Sequence, residues 1–141
     1  MTVQILQINP ATIKSKIPLQ QFGGLVPAGF PSPAEDWLED PLDLNELLVT
    51  NPPATFLMRV TGDSMKGVGI LDGSILVIDR SITPKSGMIV VAALNGELTV
   101  KMYVVVDKKP CLIPANPDYP EIPITEDTLI WGVVKAAIHR F

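Results

Sequence analysis

At 141 residues the chain has room for one domain with an extra arm, and a 47% hydrophobic content allows a sizeable core. No apolar run approaches the ~18 residues that a membrane-crossing helix needs, and no basic start followed by an apolar block marks a signal peptide. A net charge of −4 with a pI near 4.8 does not advertise a phosphate-binding surface, so no direct specific DNA binding is expected.

Residues 1–31 show no clean helical or strand period. They carry Pro10, Pro18, Pro27 and Pro31 with Gly23-Gly24 and Gly29, and read as an extended, mobile arm. Side chains of residues 1–28 sum to +2 and those of 29–141 to −6, so a weakly basic arm accompanies an acidic body. Within the arm, Val26-Pro27-Ala28-Gly29-Phe30 is biased toward extended geometry by Pro27. Extended backbone is the form a protease cleft accepts. The Ala28-Gly29 bond is flanked by minimal side chains and suits a narrow cleft; the bland alternative is a flexible linker.

Ser32-Pro33-Ala34-Glu35 has the form of a capping box and predicts a short helix stopped by Pro41. Asp43-Leu44-Asn45-Glu46-Leu47-Leu48 predicts a second short helix, with Asp43 as cap and Leu44, Leu47 and Leu48 on one face. From residue 54 onward the pattern is β. Strands are expected at Thr55–Thr61, Ile75–Asp79, Met88–Leu94, Leu98–Val106, Cys111–Ala115 and Leu129–Ile138. Turn signals separate them, and Asn95-Gly96 between two apolar runs is a strong hairpin signal. The expected fold is mainly β: a rolled or barrel-like antiparallel domain with short N-terminal helices and an extended N-terminal arm. The expected division is a cleavable arm, 1–28, and a β domain, 29–141.

Two residues in this β region carry the chemistry. Ser64 lies in the turn-like Thr61-Gly62-Asp63-Ser64-Met65, and Lys101 lies in the strand Glu97-Leu98-Thr99-Val100-Lys101-Met102-Tyr103. A serine hydroxyl needs a base to become a nucleophile. Lysine serves only if its pKa falls, since at its ordinary value about one in a few thousand is neutral at pH 7. Burial among hydrocarbon lowers that pKa by up to ~3–5 units. Val100 and Met102 flank Lys101, and Tyr103 and Val105 share its strand face. The bland readings are a solvent-facing strand lysine and a turn serine. The backbone N–H groups of Asp63 and Ser64 are candidates for an oxyanion hole. Gly67-Val68-Gly69 lacks the ending of a phosphate loop and reads as curvature beside the nucleophile.

Other constellations are weaker. A triad of Ser64, His139 and an aspartate has no spacing support, and Cys111 paired with His139 competes with a buried structural thiol. One cysteine and one histidine do not fill a zinc site without carboxylates, so no metal or cofactor is expected. The single cysteine excludes an intrachain disulfide and fits a reducing cytoplasm.

Taken in order, Ala28-Gly29-Phe30-Pro31-Ser32-Pro33-Ala34, Asp43-Leu44-Asn45-Glu46-Leu47-Leu48, Gly62-Asp63-Ser64-Met65, Asp72-Gly73-Ser74-Ile75-Leu76-Val77-Ile78-Asp79, Glu97-Leu98-Thr99-Val100-Lys101 and Trp131-Gly132-Val133-Val134 resemble the LexA/UmuD family of self-cleaving proteins, on its UmuD side. The resemblance implies that Ser64 is the nucleophile, Lys101 the general base and Ala28-Gly29 the bond cut. It further implies self-cleavage stimulated by the RecA–single-stranded DNA filament after DNA damage. The product expected is a trimmed homodimer that assists a UmuC-type translesion polymerase in the cytoplasm. The 28 residues before the cut are too few for the winged helix-turn-helix of LexA and lack its helical periodicity, which favours the UmuD branch. Competing readings are a signal-peptidase-like enzyme, a non-catalytic dimeric interaction module, and a phage-type decoy or antirepressor of the same fold.

Overall fold

The computed structural model describes residues 2–5, 16–22, 28–29 and 38–141. Its chain divides into two units, residues 1–12 with 51–141, and residues 13–50.

The larger unit is an eight-stranded antiparallel sheet. Its strands, numbered along the whole chain, are β1 (Thr2–Ile5), β4 (Thr55–Thr61), β5 (Ile75–Asp79), β6 (Ile89–Leu94), β7 (Glu97–Val106), β8 (Lys109–Ile113), β9 (Ile122–Pro123) and β10 (Thr128–Ile138). They lie in the order β1-β4-β5-β10-β6-β7-β8-β9. A further pairing of Thr2 with Thr99 brings β1 back to β7, so the sheet is rolled without being a closed barrel. β10 sits between β5 and β6 and is thus the strand that joins the β4–β5 half to the β6–β7 half.

Local chemistry explains these elements. β6 and β7 are joined by Asn95-Gly96, both at positive φ (51° and 83°), the left-handed pair that a two-residue hairpin requires. Asp107 and Lys108 (φ 50° and 64°) make the same kind of turn between β7 and β8. In β6 the consecutive residues Val90, Val91 and Ala92 are all buried. Val91 joins the main core of Met58, Val60, Met65, Ile70, Leu76, Ile78 and Val100, whereas Val90 and Ala92 join a second cluster with Leu112 and Val133. Both faces of β6 are therefore covered, which is why its sequence runs apolar without alternating.

The six expected strands are all present, with ends shifted by at most two residues. The two-residue β9 and β2 have no alternation in the sequence to announce them, and Thr2-Val3-Gln4-Ile5 of β1 alternates over only four residues.

In the smaller unit, β2 (Pro18–Phe22) pairs antiparallel with β3 (Leu38–Asp43). Pro41 lies within β3 rather than ending a helix, and the capping box at Ser32–Glu35 lies outside the described residues. The second expected helix is α1 (Leu44–Leu48), where the Asp43 carboxylate accepts the Asn45 N–H at 3.0 Å. Leu44 and Leu47 of its apolar face are exposed within the chain. Lys16 and Glu46 form an exposed ion pair at 2.6 Å in the same unit.

Candidate active site

β4 delivers its chain end into the turn Gly62-Asp63-Ser64-Met65, and several distant residues fix that turn. Gly62, at φ 96°, donates its N–H to the Asp72 carboxylate at 2.8 Å. The Asp63 carbonyl accepts the side-chain amide of buried Asn116 at 3.1 Å, and its carboxylate accepts the Tyr119 hydroxyl at 2.8 Å. The fully buried Met65 side chain anchors the far side in the main core. A 3-10 turn, Lys66–Val68, follows. There Gly67 donates its N–H to the Ala115 carbonyl at 2.8 Å, and a Cβ at Gly67 would lie 2.5 Å from that oxygen. Glycine is required here by close backbone approach, and Gly69 (φ 85°) supplies the curvature that ends the turn.

Ser64 is fully buried at the centre of this scaffold. Lys101 reaches it from β7. The lysine is 4% exposed and its Nζ lies 3.3 Å from Ser64 Oγ. Nζ also donates to Thr99 Oγ1 at 3.0 Å and to the Val100 carbonyl at 3.1 Å. Among the described residues no carboxylate pairs with it. Burial therefore pushes the Lys101 amine below the ordinary lysine range. The two residues singled out from sequence are thus neighbours in space, a buried amine beside a buried hydroxyl. Chemically, such a pair can activate the hydroxyl by transferring its proton to the amine.

The hydrocarbon expected around Lys101 is only partly what encloses it. Tyr103 is half-buried, but Val105 on the same strand face is exposed, because the far half of β7 leaves the core. Enclosure comes instead from the fold bringing the Ser64 turn against the near half of β7. His139 is exposed and stacks edge-on with Phe141 rather than approaching Ser64. Cys111 is half-buried in β8, where Val104 is its cross-strand partner. Ala28 and Gly29 are exposed at a bend of the smaller unit.

Sequence reading missed Thr99, Asn116 and Tyr119. The turn chemistry around Asn116-Pro117-Asp118 is visible, but its attachment to Asp63 spans more than fifty residues and has no local signal.

Residues 20–135 match the Peptidase S24-like family. The chain belongs to that family. Protein SamA of Salmonella typhimurium is 45% identical over 91% of this chain and 89% of its own length. Protein MucA of Escherichia coli is 42% identical over 98% of this chain and 94% of its own. The LexA repressor of Halorhodospira halophila is 42% identical over 74% of this chain and 46% of its own length. The resemblance to the LexA/UmuD group, read from short motifs, thus extends across most of the S24-like chain. Family membership makes it a serine-peptidase homologue with a mainly β, LexA-like fold. Among the described residues, no helix is long and apolar enough to cross a membrane.

Proposed function

We propose that the chain is a self-cleaving serine peptidase that cuts its own Ala28-Gly29 bond with Ser64 as nucleophile and Lys101 as general base. The observation carrying this is the buried Lys101 amine, 3.3 Å from Ser64 Oγ, with no carboxylate to hold its charge among the described residues. Neutral Lys101 takes the Ser64 proton as Oγ attacks the Ala28 carbonyl carbon. The lysine then returns that proton to the Gly29 nitrogen, the C–N bond breaks, and an ester joins Ser64 to Ala28. Water, deprotonated by the same amine, attacks the ester carbon; the Oγ–C bond breaks as the amine returns that proton to Ser64 Oγ, and the freed Ala28 acid loses its own proton to solvent. The N–H groups of Asp63 and Ser64 are offered as the oxyanion donors; among the described residues neither is paired in a hydrogen bond. Exposure of Ala28 and Gly29 fits a bond that enters a cleft as extended chain.

The biological setting proposed is the response to DNA damage. A RecA–single-stranded DNA filament biases the chain toward its cleavable state, and the trimmed homodimer assists a UmuC-type translesion polymerase. This setting is supported by the likeness to the UmuD-related proteins SamA and MucA.

The test is incubation of the purified chain at about pH 9–10, where the lysine loses its proton. A fragment beginning at Gly29 is expected, and Ser64→Ala and Lys101→Ala each abolish it. The rate should climb with pH through a midpoint below the ordinary lysine value and then level off. A rate flat from about pH 6 to 10 would remove Lys101 from the role of base.

A further inference from the structure

The backbone around the dyad forms a slot one strand wide. β4 pairs with β5 along one edge, which leaves its other edge, Met58–Thr61, open to a further strand. β7 pairs with β6 throughout its near half, while its pairing with β8 begins only at Met102. The edge before Lys101 is therefore not taken by β8. These two edges face one another across the slot, because a single strand, β1, pairs with both. Thr2 is in register with Thr61 of β4 and with Thr99 of β7. Ser64 lies three residues beyond Thr61, and Lys101 two beyond Thr99. The slot thus opens on the nucleophile along one wall and on the base along the other.

A peptide presented to Ser64 in extended form needs hydrogen-bonding edges of this kind. In this structure they are used by the chain's own first residues, Thr2-Val3-Gln4-Ile5, an uncharged run. The segment Val26-Pro27-Ala28-Gly29-Phe30 is likewise uncharged and extended by sequence.

We infer that the slot between β4 and β7 is a strand-receiving site for which residues 2–5 compete with the segment around Ala28-Gly29. This rests on the self-cleavage reading for its substrate, but the occupancy of the slot is a separate claim. While β1 is seated, the scissile segment is kept out, and β1 must detach before cutting. Cutting then removes the competitor together with residues 1–28, and the slot stays open to an extended, uncharged peptide.

Removal of residues 1–6 is expected to raise the rate of cutting at alkaline pH by roughly three- to tenfold, as the competent fraction rises. A synthetic peptide of residues 1–8 added to the shortened chain should slow it again. Val3→Pro in the full chain, which removes one backbone donor from β1, should act in the same direction without shortening the chain. In parallel, a fluorescent peptide spanning residues 23–33 is titrated into Ser64→Ala chains with and without residues 1–6. Tighter binding to the shortened chain is expected. Equal affinity for both chains overturns the inference, as does an unchanged cutting rate in both the shortened chain and Val3→Pro. If no chain cuts at any pH, the self-cleavage reading fails, and the peptide titration alone decides occupancy of the slot.

Discussion

Lys101 holds its place against a cost. Burying an ammonium opposes folding by several kcal/mol, of the order seen for ions that lose their hydration. Here three oxygens, on Ser64, Thr99 and Val100, offset part of it. The lowered pKa fixes the sign of the stability effect. The unfolded chain binds the proton more tightly, so stability rises with pH between the folded value and the ordinary value of 10.5, and the penalty is fully present below both. Lys101→Met should therefore stabilise the protein at neutral pH by about 1–3 kcal/mol, within the usual range for relieving a buried charge, while abolishing cutting. Chemical denaturation at several pH values checks this: the advantage should shrink as pH approaches 10.5. Thr99→Val removes an acceptor that favours the charged amine. Its expected effect is a pH–rate midpoint moved downward, read from the same alkaline incubation. The pairing of Ser64 with Lys101 was legible from residue types and family likeness. Thr99 was not, because a threonine two places before a lysine on a strand is ordinary sequence.

At the level of elements, the turn that presents Ser64 is assembled from outside itself. Asp72 reaches it from one loop and Asn116 and Tyr119 from another, and Gly67 lets the Ala115 carbonyl approach. A methyl at Gly67 meets a backbone oxygen, which yields less readily than a side chain. Gly67→Ala should cost about 2–4 kcal/mol and slow cutting together with it, measurable by thermal unfolding and fragment yield. The strands were readable because their apolar runs are bounded by turn residues such as Asn95-Gly96, whose conformation is local. β1 and β2 were not readable as strands: β1 alternates over only four residues, β2 does not alternate, and their pairing partners β4 and β3 lie far along the chain. Pro41 misled for a related reason. It blocks a helix interior, but the edge of a two-stranded pair accepts it.

Across the larger unit, the serine and the lysine belong to different halves of one sheet, and β10 is the seam. Its fit depends on Gly132, where an added Cβ would lie 2.6 Å from Ile78 Cγ2 beside an irregularity in the ladder. Arg80 stacks over Trp131 at 4.3 Å and bonds its carbonyl, tying the same stretch to the end of β5. Gly132→Ala is expected to lower stability by about 1–3 kcal/mol and to reduce the cutting rate, with the pH midpoint unmoved, because neither reacting group is touched. Comparing unfolding midpoints with pH–rate profiles separates that outcome from a direct effect on the dyad.

The seam strand is made after every other described strand of its sheet. Until it has emerged and slid between β5 and β6, the ladders on that side of the sheet lack the strand they share. If the chain cuts itself, this order of synthesis holds trimming back until the late strand is in place.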